Sequence, residues 1–500
     1  MSSTYKWIML SIVSVALLLI SLDMAILYTA LPTLTHDLAA TASEKLWIIN
    51  VYPLVMSGLL LGIGALGDRI GHKRIFMNGL LVFGAASLAA ALSSSPEMLI
   101  VGRIFLAVGA AMMMPATLSI IRINFKDEKE RNFAIGVWGS VFSGGAGLGP
   151  IVGGALLEHF HWGAVFLINV PIVVIAFFLS FKFVPKDEGH SNKKWDWFGS
   201  IQIMIGLIGV IFAIKEATMR NGHIGVAILS VVIGTTAMLL FYRRQKRMGS
   251  PLIDFKLFRN ERFLGGMLGA IFLTFALVGT QLIFTQRYQL VLGYSPLKSA
   301  LFMLAIPVSS FISGLAIGYF LHKFSVLRTL LITISLSAVG MVCYLASLNQ
   351  GTLFEVFSLA LLGAGLGASG VVSSNAIMNN VPVDKAGMAA STEEVSYEIG
   401  GVLGVGILGS LLAFFYTRGF VPVNGLSPTM GVDSLDEALI AAEKLPTQQA
   451  ALLVDHAKEA FNYAFNSVSM ISTGVIIVGG FSIAYLMIKE HKKEKVGLKS

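Results

Sequence analysis

The sequence predicts an all-α polytopic membrane protein of fourteen transmembrane helices, built as two six-helix bundles plus two additional helices. Three observations carry that prediction. Hydrophobic residues make up 55% of the 500-residue chain and charged residues 13%, where a soluble domain carries about 25% charged. Fourteen spans at about 20 residues each need about 280 apolar positions, and 55% of 500 residues leaves little beyond that for a separate soluble core. With the N-terminus placed inside, the inner segments hold 27 Lys and Arg and the outer segments 8, with Arg103 inside the membrane. That asymmetry is the positive-inside rule.

The helices follow in order. The first, near 7–31, is preceded only by Lys6 and exceeds the 7–15 apolar residues of a signal peptide, so it reads as a retained span. It contains Asp23. The second, near 46–67, runs into the turn Gly64-Ala65-Leu66-Gly67-Asp68-Arg69-Ile70-Gly71-His72-Lys73-Arg74 before the third, near 75–95. The fourth, near 98–120, holds Arg103 and an apolar run, Met112 to Met114, beside Pro115. The fifth, near 132–156, is rich in glycine around Pro150. The sixth, near 162–184, ends in a charged linker, 185–196. Two helices near 197–216 and 222–242 form a hairpin closed by a second, basic linker, 243–262.

The ninth to twelfth lie near 263–285, 296–318, 328–347 and 352–376. The one cysteine, Cys343, is in the eleventh, so no intramolecular disulfide can form. The tenth ends in Gly314-Leu315-Ala316-Ile317-Gly318, a faint repeat of the second helix without its acid. The thirteenth, near 388–415, holds Glu393, Glu394 and Glu398. An outer segment, about 416–462, begins its first helix at Ser434-Leu435-Asp436-Glu437, a capping-box pattern. Pro446-Thr447 opens a second run through Phe461, which together predict an amphipathic helical hairpin. The fourteenth helix lies near 463–488. The chain divides into an N-terminal bundle, 1–184, a linker with two extra helices, 185–262, and a C-terminal bundle, 263–500.

An ionisable group at membrane depth costs at least ~2.5–3.5 kcal/mol and is kept for ions or substrate. Asp23 lies about 12 Å from the outer end of its helix and Arg103 about 8 Å from the outer start of its own. They can share a level, where the cation favours an ionised carboxylate. Glu394 and Glu398 are four residues apart on one helical face, with Glu393 on the next. Three acids with no Lys or Arg beside them suit protons or organic cations as partners. Tyr28, Trp47, Tyr52, Trp138, Phe142 and Tyr397 offer aromatic faces, each contributing about 0.5–2 kcal/mol to a bound quaternary ammonium.

In the 64–74 turn, glycines permit close helix approach. Asp68 there can cap the third helix or pair with a cationic loop, a contact made in one transport state and broken in another. In the fifth helix, Gly145, Gly149, Gly153 and Gly154 let neighbours approach, and Pro150 makes the helix pliable.

These segments resemble the major facilitator superfamily. The turn resembles its loop signature, Gly-x-Leu-x-Asp-Arg-x-Gly-x-Lys-Arg, which marks Gly64, Asp68, Arg69, Gly71, Lys73 and Arg74 as a conformational gate. The run from Gly145 to Gly154 resembles the antiporter motif of the drug–proton antiporters. The Asp23 segment and Asp254-Phe255-Lys256-Leu257-Phe258-Arg259-Asn260 resemble the fourteen-span branch. Relatives carry Arg-x-x-Gln-Gly in the fourth helix, whereas Arg103-Ile104-Phe105-Leu106-Ala107 lacks both the Gln and that Gly. Relatives also often have Trp-Arg-Trp before the sixth helix, where this chain has His161-Trp162-Gly163.

The resemblance implies a major facilitator fold and proton-coupled export of hydrophobic and quaternary ammonium-type cations. It implies a monomer in a bacterial inner membrane with both termini cytoplasmic, driven by the proton gradient without a cofactor. Asp23, Arg103, Glu393, Glu394 and Glu398 are the expected coupling and cation-binding groups. The alternative on the same fold is a proton-coupled symporter or a uniporter for a neutral solute. No Gly-x-x-x-x-Gly-Lys-Ser/Thr occurs, which disfavours ATP as the driver. The nine histidines fall mostly in loops and helix ends, with neither metal-ligand spacing nor a clustered nucleophile, so neither a metal nor an enzyme is expected. The basic residues sit on short loops without interleaved aromatics, so nucleic acid is not a partner.

Overall fold

The computed structural model describes residues 3–497 apart from 39, 41, 188, 190–195, 219–222, 250, 252, 295, 349–350, 424–425, 428–429 and 433. Among them the regular structure is helical: α1 Ser3–Asp37, α2 Ala42–Ile70, α3 His72–Ala91, α4 Pro96–Asn124, α5 Glu128–His159, α6 Ala164–Leu167, α7 Asn169–Phe183, α8 Trp197–Thr218 and α9 Ile224–Gln245. Then come α10 Glu261–Gln286, α11 Pro296–Met303, α12 Ala305–Phe320, α13 Val326–Ser347, α14 Thr352–Asn379, α15 Ala386–Gly419, α16 Leu435–Ala442 and α17 Thr447–Gly497. Among the described residues thirteen stretches are long and apolar enough to cross a membrane, and α8 adds a shorter one, Phe198–Ile214.

Two predicted spans are interrupted. The sixth breaks at Ile168 into α6 and α7, and the tenth at Leu304 into α11 and α12. Each break sits three residues before a proline, Pro171 or Pro307, which has no N–H to offer the carbonyl four residues back. The outer segment corrects another expectation. Ser434 caps α16 by accepting from the Glu437 N–H at 3.2 Å, but the run from Thr447 does not stop at Phe461. It continues as the single 51-residue helix α17. Hydropathy changes near 462, yet no Gly or Pro lies there to end a helix.

Helices α1–α7 and α10–α17 form two bundles. One buried cluster centres on the first and takes in the end of α14 and the start of α15, and a second lies within the other bundle. They meet along α5 with α12 and along α2 with α15. Helix α5 is flanked on both sides by small residues. Its Gly145, Gly149 and Gly153 lie on Ser21, Ala25 and Ile26 of α1, while Gly136 lies on Gly318 and Gly147 on Pro307 of α12. The loops rich in Lys and Arg gather at one end, here the basic face.

The hairpin α8–α9 is clipped at that face. Asp196 receives Gly199 N–H at 3.0 Å, Arg244 Nε at 2.9 Å and Gln245 Nε2 at 2.8 Å. Burial pushes the Asp196 carboxyl up, but these hydrogen bonds outweigh it and hold it below the usual carboxylate range. A depressed carboxylate contributes stability that is complete above its unfolded pKa and is lost as pH falls through the folded one. Asp196→Ala is therefore expected to cost about 1–3 kcal/mol at neutral pH. The difference in thermal unfolding midpoint from the parent should shrink only in acid below the ordinary carboxylate range. A pH-independent difference would remove the ionic part of the account.

Candidate functional site

Asp23 and Arg103 meet in the N-terminal bundle. Arg103 Nη1 stands 3.6 Å from Asp23 Oδ2, and both side chains are 2% exposed or less. Asn169 donates to Asp23 Oδ1 at 3.2 Å and to Ser87 Oγ at 3.3 Å. Asn169 is the first residue of α7, set there by the break that precedes Pro171. The Arg103 guanidinium lies over the Tyr52 ring, 5.0 Å from its centroid. Tyr52 is fully buried and its hydroxyl has no hydrogen-bond partner among the described residues. The glycine face of α5 presses on Ser21 and Ala25, the positions flanking Asp23, and so fixes the height of that carboxylate.

The acids of α15 separate into two settings. Glu393 is buried in the C-terminal bundle, where the Tyr397 hydroxyl donates to its Oε1 at 3.0 Å and Ser374 of α14 stands beside it. Glu394 is 1% exposed, lies between the charges of Glu393 and Glu398, and its Oε1 has no hydrogen-bond partner among the described residues. Glu398 is half-buried and within electrostatic reach of Tyr52. Tyr52 therefore carries the Arg103 guanidinium on its ring and lies within electrostatic reach of Asp23 in its own bundle and of Glu398 in the other.

The other predicted aromatics are placed differently. Trp47 is 43% exposed and stacks on Phe212 of α8 at 6.0 Å. It sits at the rim against the extra hairpin. Trp138 is buried, with its Nε1 donating to Thr117 Oγ1 at 2.9 Å, so its polar edge is used in holding α5 to α4. Phe142 packs half-buried against the N-terminal core. The side chain of Tyr28 lies outside the described residues.

The 64–74 turn reaches across the seam. Asp68 accepts from the Gly387 N–H at 2.9 Å and the Met388 N–H at 3.2 Å, the first turn of α15, and pairs with His72 Nε2 at 3.1 Å. A carboxylate at a helix N-terminus satisfies unpaired N–H groups and meets the positive end of the helix dipole. The expectation that Asp68 caps the third helix is corrected. Asp187 does so, accepting from His72 N–H at 2.5 Å and Lys73 N–H at 3.0 Å. Gly71, at φ 100°, turns the chain so that Asp68 and Asp187 serve different helices. Lys73 Nζ donates to the carbonyls of Phe181 and Val184 that end α7. Arg69 is half-buried and Arg74 exposed. Gly64 fits against Gly387 O and Ser391 with no room for a Cβ. Pro150 is half-buried, and a side chain at Gly154 would meet nothing within 4 Å.

Sequence reasoning missed a second basic-face link. Arg131 Nε donates to Asn379 Oδ1 at 2.6 Å, Asn379 Nδ2 to Asn132 Oδ1 at 3.0 Å, and Arg122 Nη2 to Val381 O at 3.2 Å. These tie α4 and α5 to the end of α14. Uncharged Asn169, Ser87 and Ser374 carried no signal in the sequence either.

The profile described as Major Facilitator Superfamily matches residues 13–405. The chain is 37% identical over 479 residues to the methyl viologen resistance protein SmvA of Salmonella typhimurium, covering 95% of this chain and 96% of that one. It is 35% identical over 479 residues to the multidrug efflux pump LfrA of Mycolicibacterium smegmatis, covering 95% of each. In fold it is similar to the human organic anion transporter MFSD10, with TM-score 0.63 at 13% identity over 96% of this chain and 99% of that one. The proton:xylose symporter XylE gives 0.58 at 13% identity over 95% of each chain.

Proposed function

This chain belongs to the major facilitator superfamily, and from that premise we propose that it exports small organic cations from the cytoplasm in exchange for protons. The observation that carries the reading is the pair of charged clusters, both within electrostatic reach of Tyr52. A buried, incompletely partnered carboxylate such as Glu394 must hold a proton or a cation, because a bare charge there is costly. Release of the proton and capture of the cation are then two uses of one group, which is the chemistry of antiport. Asp23 stands apart with its own cation, Arg103, and supplies a second protonation site whose charge is felt at Tyr52 together with that of Glu398. The names of SmvA and LfrA, a resistance protein and an efflux pump, agree with this reading.

In this reading the basic face is cytoplasmic, both termini lie inside, and a monomer works in a bacterial inner membrane. Asp68 at the N-terminus of α15, with Arg131 and Asn379, latches the cytoplasmic ends of the bundles. Alternating access breaks these contacts when the site turns inward. Chemistry on the substrate is not required. The test is uptake of methyl viologen into proteoliposomes of inverted orientation with an acid lumen. Uptake should collapse when the pH gradient is dissipated, and uptake indifferent to the gradient would defeat the reading.

The acids of α15 also set charge preference. Two carboxylates one turn apart can offset two positive charges. At about 8 Å and an effective dielectric of about 20, each is worth about 2 kcal/mol. Replacing Glu394 and Glu398 together by Gln is expected to weaken dications at least tenfold more than matched monocations. Titration calorimetry on both ligand classes checks this, and equal losses would rule it out.

A further inference from the structure

The two seams between the bundles are built differently. Along α5 and α12 the helices touch directly, with Gly136 against Gly318 and Ser140 Oγ donating to Phe311 O at 2.9 Å. Along α2 and α15 the direct approach is at the basic-face end, where Gly64 meets Gly387 and Ser391. Farther along that seam a third helix takes part. Leu54 of α2, Ile211 of α8 and Val402 of α15 bury one another as a separate cluster.

Helix α8 is attached unequally to its two partners. On α2 it seats on Gly58 and Gly62, where an added Cβ would come within 2.8 Å of Met204 Cγ and 3.1 Å of Ser200 Cβ. Small residues four apart allow such close, rigid contact. On α15 the fit is less complete. Ile211 and Val402 touch, but beside them a cavity of about 80 Å³, lined only by apolar side chains including Leu207, Met238 and Ile399, is left between α8, α9 and α15. Protein interiors leave few voids larger than a water molecule, so the contact that keeps a gap is the one that can shift at lower cost. Ile399 and Val402 lie within one turn of Glu398, and Leu54 two residues from Tyr52. Behind α8, helix α9 packs on α8 and turns Ile228, Leu229, Val232 and Leu239 outward to lipid.

We propose that α8 is a door over the α2–α15 seam. It rides on α2, slides on α15, and opens an apolar path from the bilayer to the carboxylates of α15 for cations with long alkyl portions. The inference rests on the cation-export reading. An alkyl chain already dissolved in lipid loses nothing along an apolar path, whereas a compact dication would have to shed its water. Compact dications therefore take the aqueous route and bypass the door.

The experiment uses full-length protein in proteoliposomes, with Cys343 of α13 replaced by Ala and cysteines at Ile211→Cys and Val402→Cys. Disulfide formation should slow uptake of dodecyltrimethylammonium at least tenfold, leave at least half of methyl viologen uptake, and be reversed by dithiothreitol. A second pair, Gly62→Cys with Ser200→Cys, ties α8 to the helix it rides on, and its oxidation should change neither. Equal loss of both cations in the first pair would mean that the seam only has to move for transport, and would overturn the door. So would unchanged uptake of both, or a first pair that forms no disulfide. If the reduced protein moves neither cation, the export reading itself fails.

Discussion

Asp23→Asn is expected to abolish proton-driven export, by about a hundredfold or more, the scale on which a lost proton-transfer group acts. The protein should still insert and fold. Asparagine keeps an oxygen at the place where Asn169 donates, so the link from α7 to α1 survives beside the bond from Asn169 to Ser87 of α3. What disappears is the counter-charge of Arg103, left buried over the Tyr52 ring. That ring still offers about 0.5–2 kcal/mol to the cation, which softens the cost of the unpaired charge. Substrate should still bind at the α15 acids, because they lie across the seam from Asp23. The decisive measurement is substrate-driven proton release from purified protein in weakly buffered detergent. Release equal to that of the parent would sink the assignment.

The second large effect is expected at the latch on the basic face, which is cytoplasmic in the proposed reading. Gly64→Leu places a side chain where Gly387 O and Ser391 already fill the space. Overpacking of this kind costs about 1–3 kcal/mol, and here the cost falls only on the state in which α2 and α15 touch. The equilibrium should move towards the open cytoplasmic side by about 5–150-fold. Asp68→Asn should act in the same direction and less strongly, since one oxygen can still accept from the α15 N-terminus while the charge opposite the helix dipole is gone. Transport falls in both variants, yet equilibrium binding of substrate should be no weaker than in the parent. Spin labels across the cytoplasmic ends of α2 and α15 report the distance distribution. Binding lost tenfold with an unchanged distribution would show that the loop acts on the site and not on the opening.

What the sequence disclosed follows from cost. Asp23, Arg103 and the three glutamates stood out because ionised groups are expensive in apolar helices, and their depth along each helix could be counted. Asn169, Ser87 and Ser374 complete the same site but cost little in a membrane helix, so nothing marked them. Asp68 stood out by sequence as a cap for the third helix or a partner for a basic loop. It pairs with His72, but the backbone N–H groups it caps belong to α15, 319 residues away, and only the fold brings them together. Trp47 counts by sequence among the aromatic faces offered to a cation, at the start of the second helix. The extra hairpin, by supplying Phe212, makes it a rim residue. The Arg131–Asn379 link was invisible because its residue types are those of any basic loop.

The 51 residues of α17 have a mechanical consequence. From Thr447 to Lys489, which pairs with Glu261 at the basic face, the helix runs about 63 Å, roughly twice the 30 Å of hydrocarbon. Its far end is braced by α16 and by the end of α15, with the Tyr416 hydroxyl donating to Gly431 O at 2.8 Å. A stiff rod fixed at its base is a lever. Tilting the C-terminal bundle by about 10° around the bilayer centre would swing a tip about 45 Å away through about 8 Å, by the same rise per residue. Sub-nanometre shifts at the carboxylates are thus amplified into a displacement outside the membrane. A fluorophore pair between that tip and the start of α4 can read it one molecule at a time, without a label near the transport path.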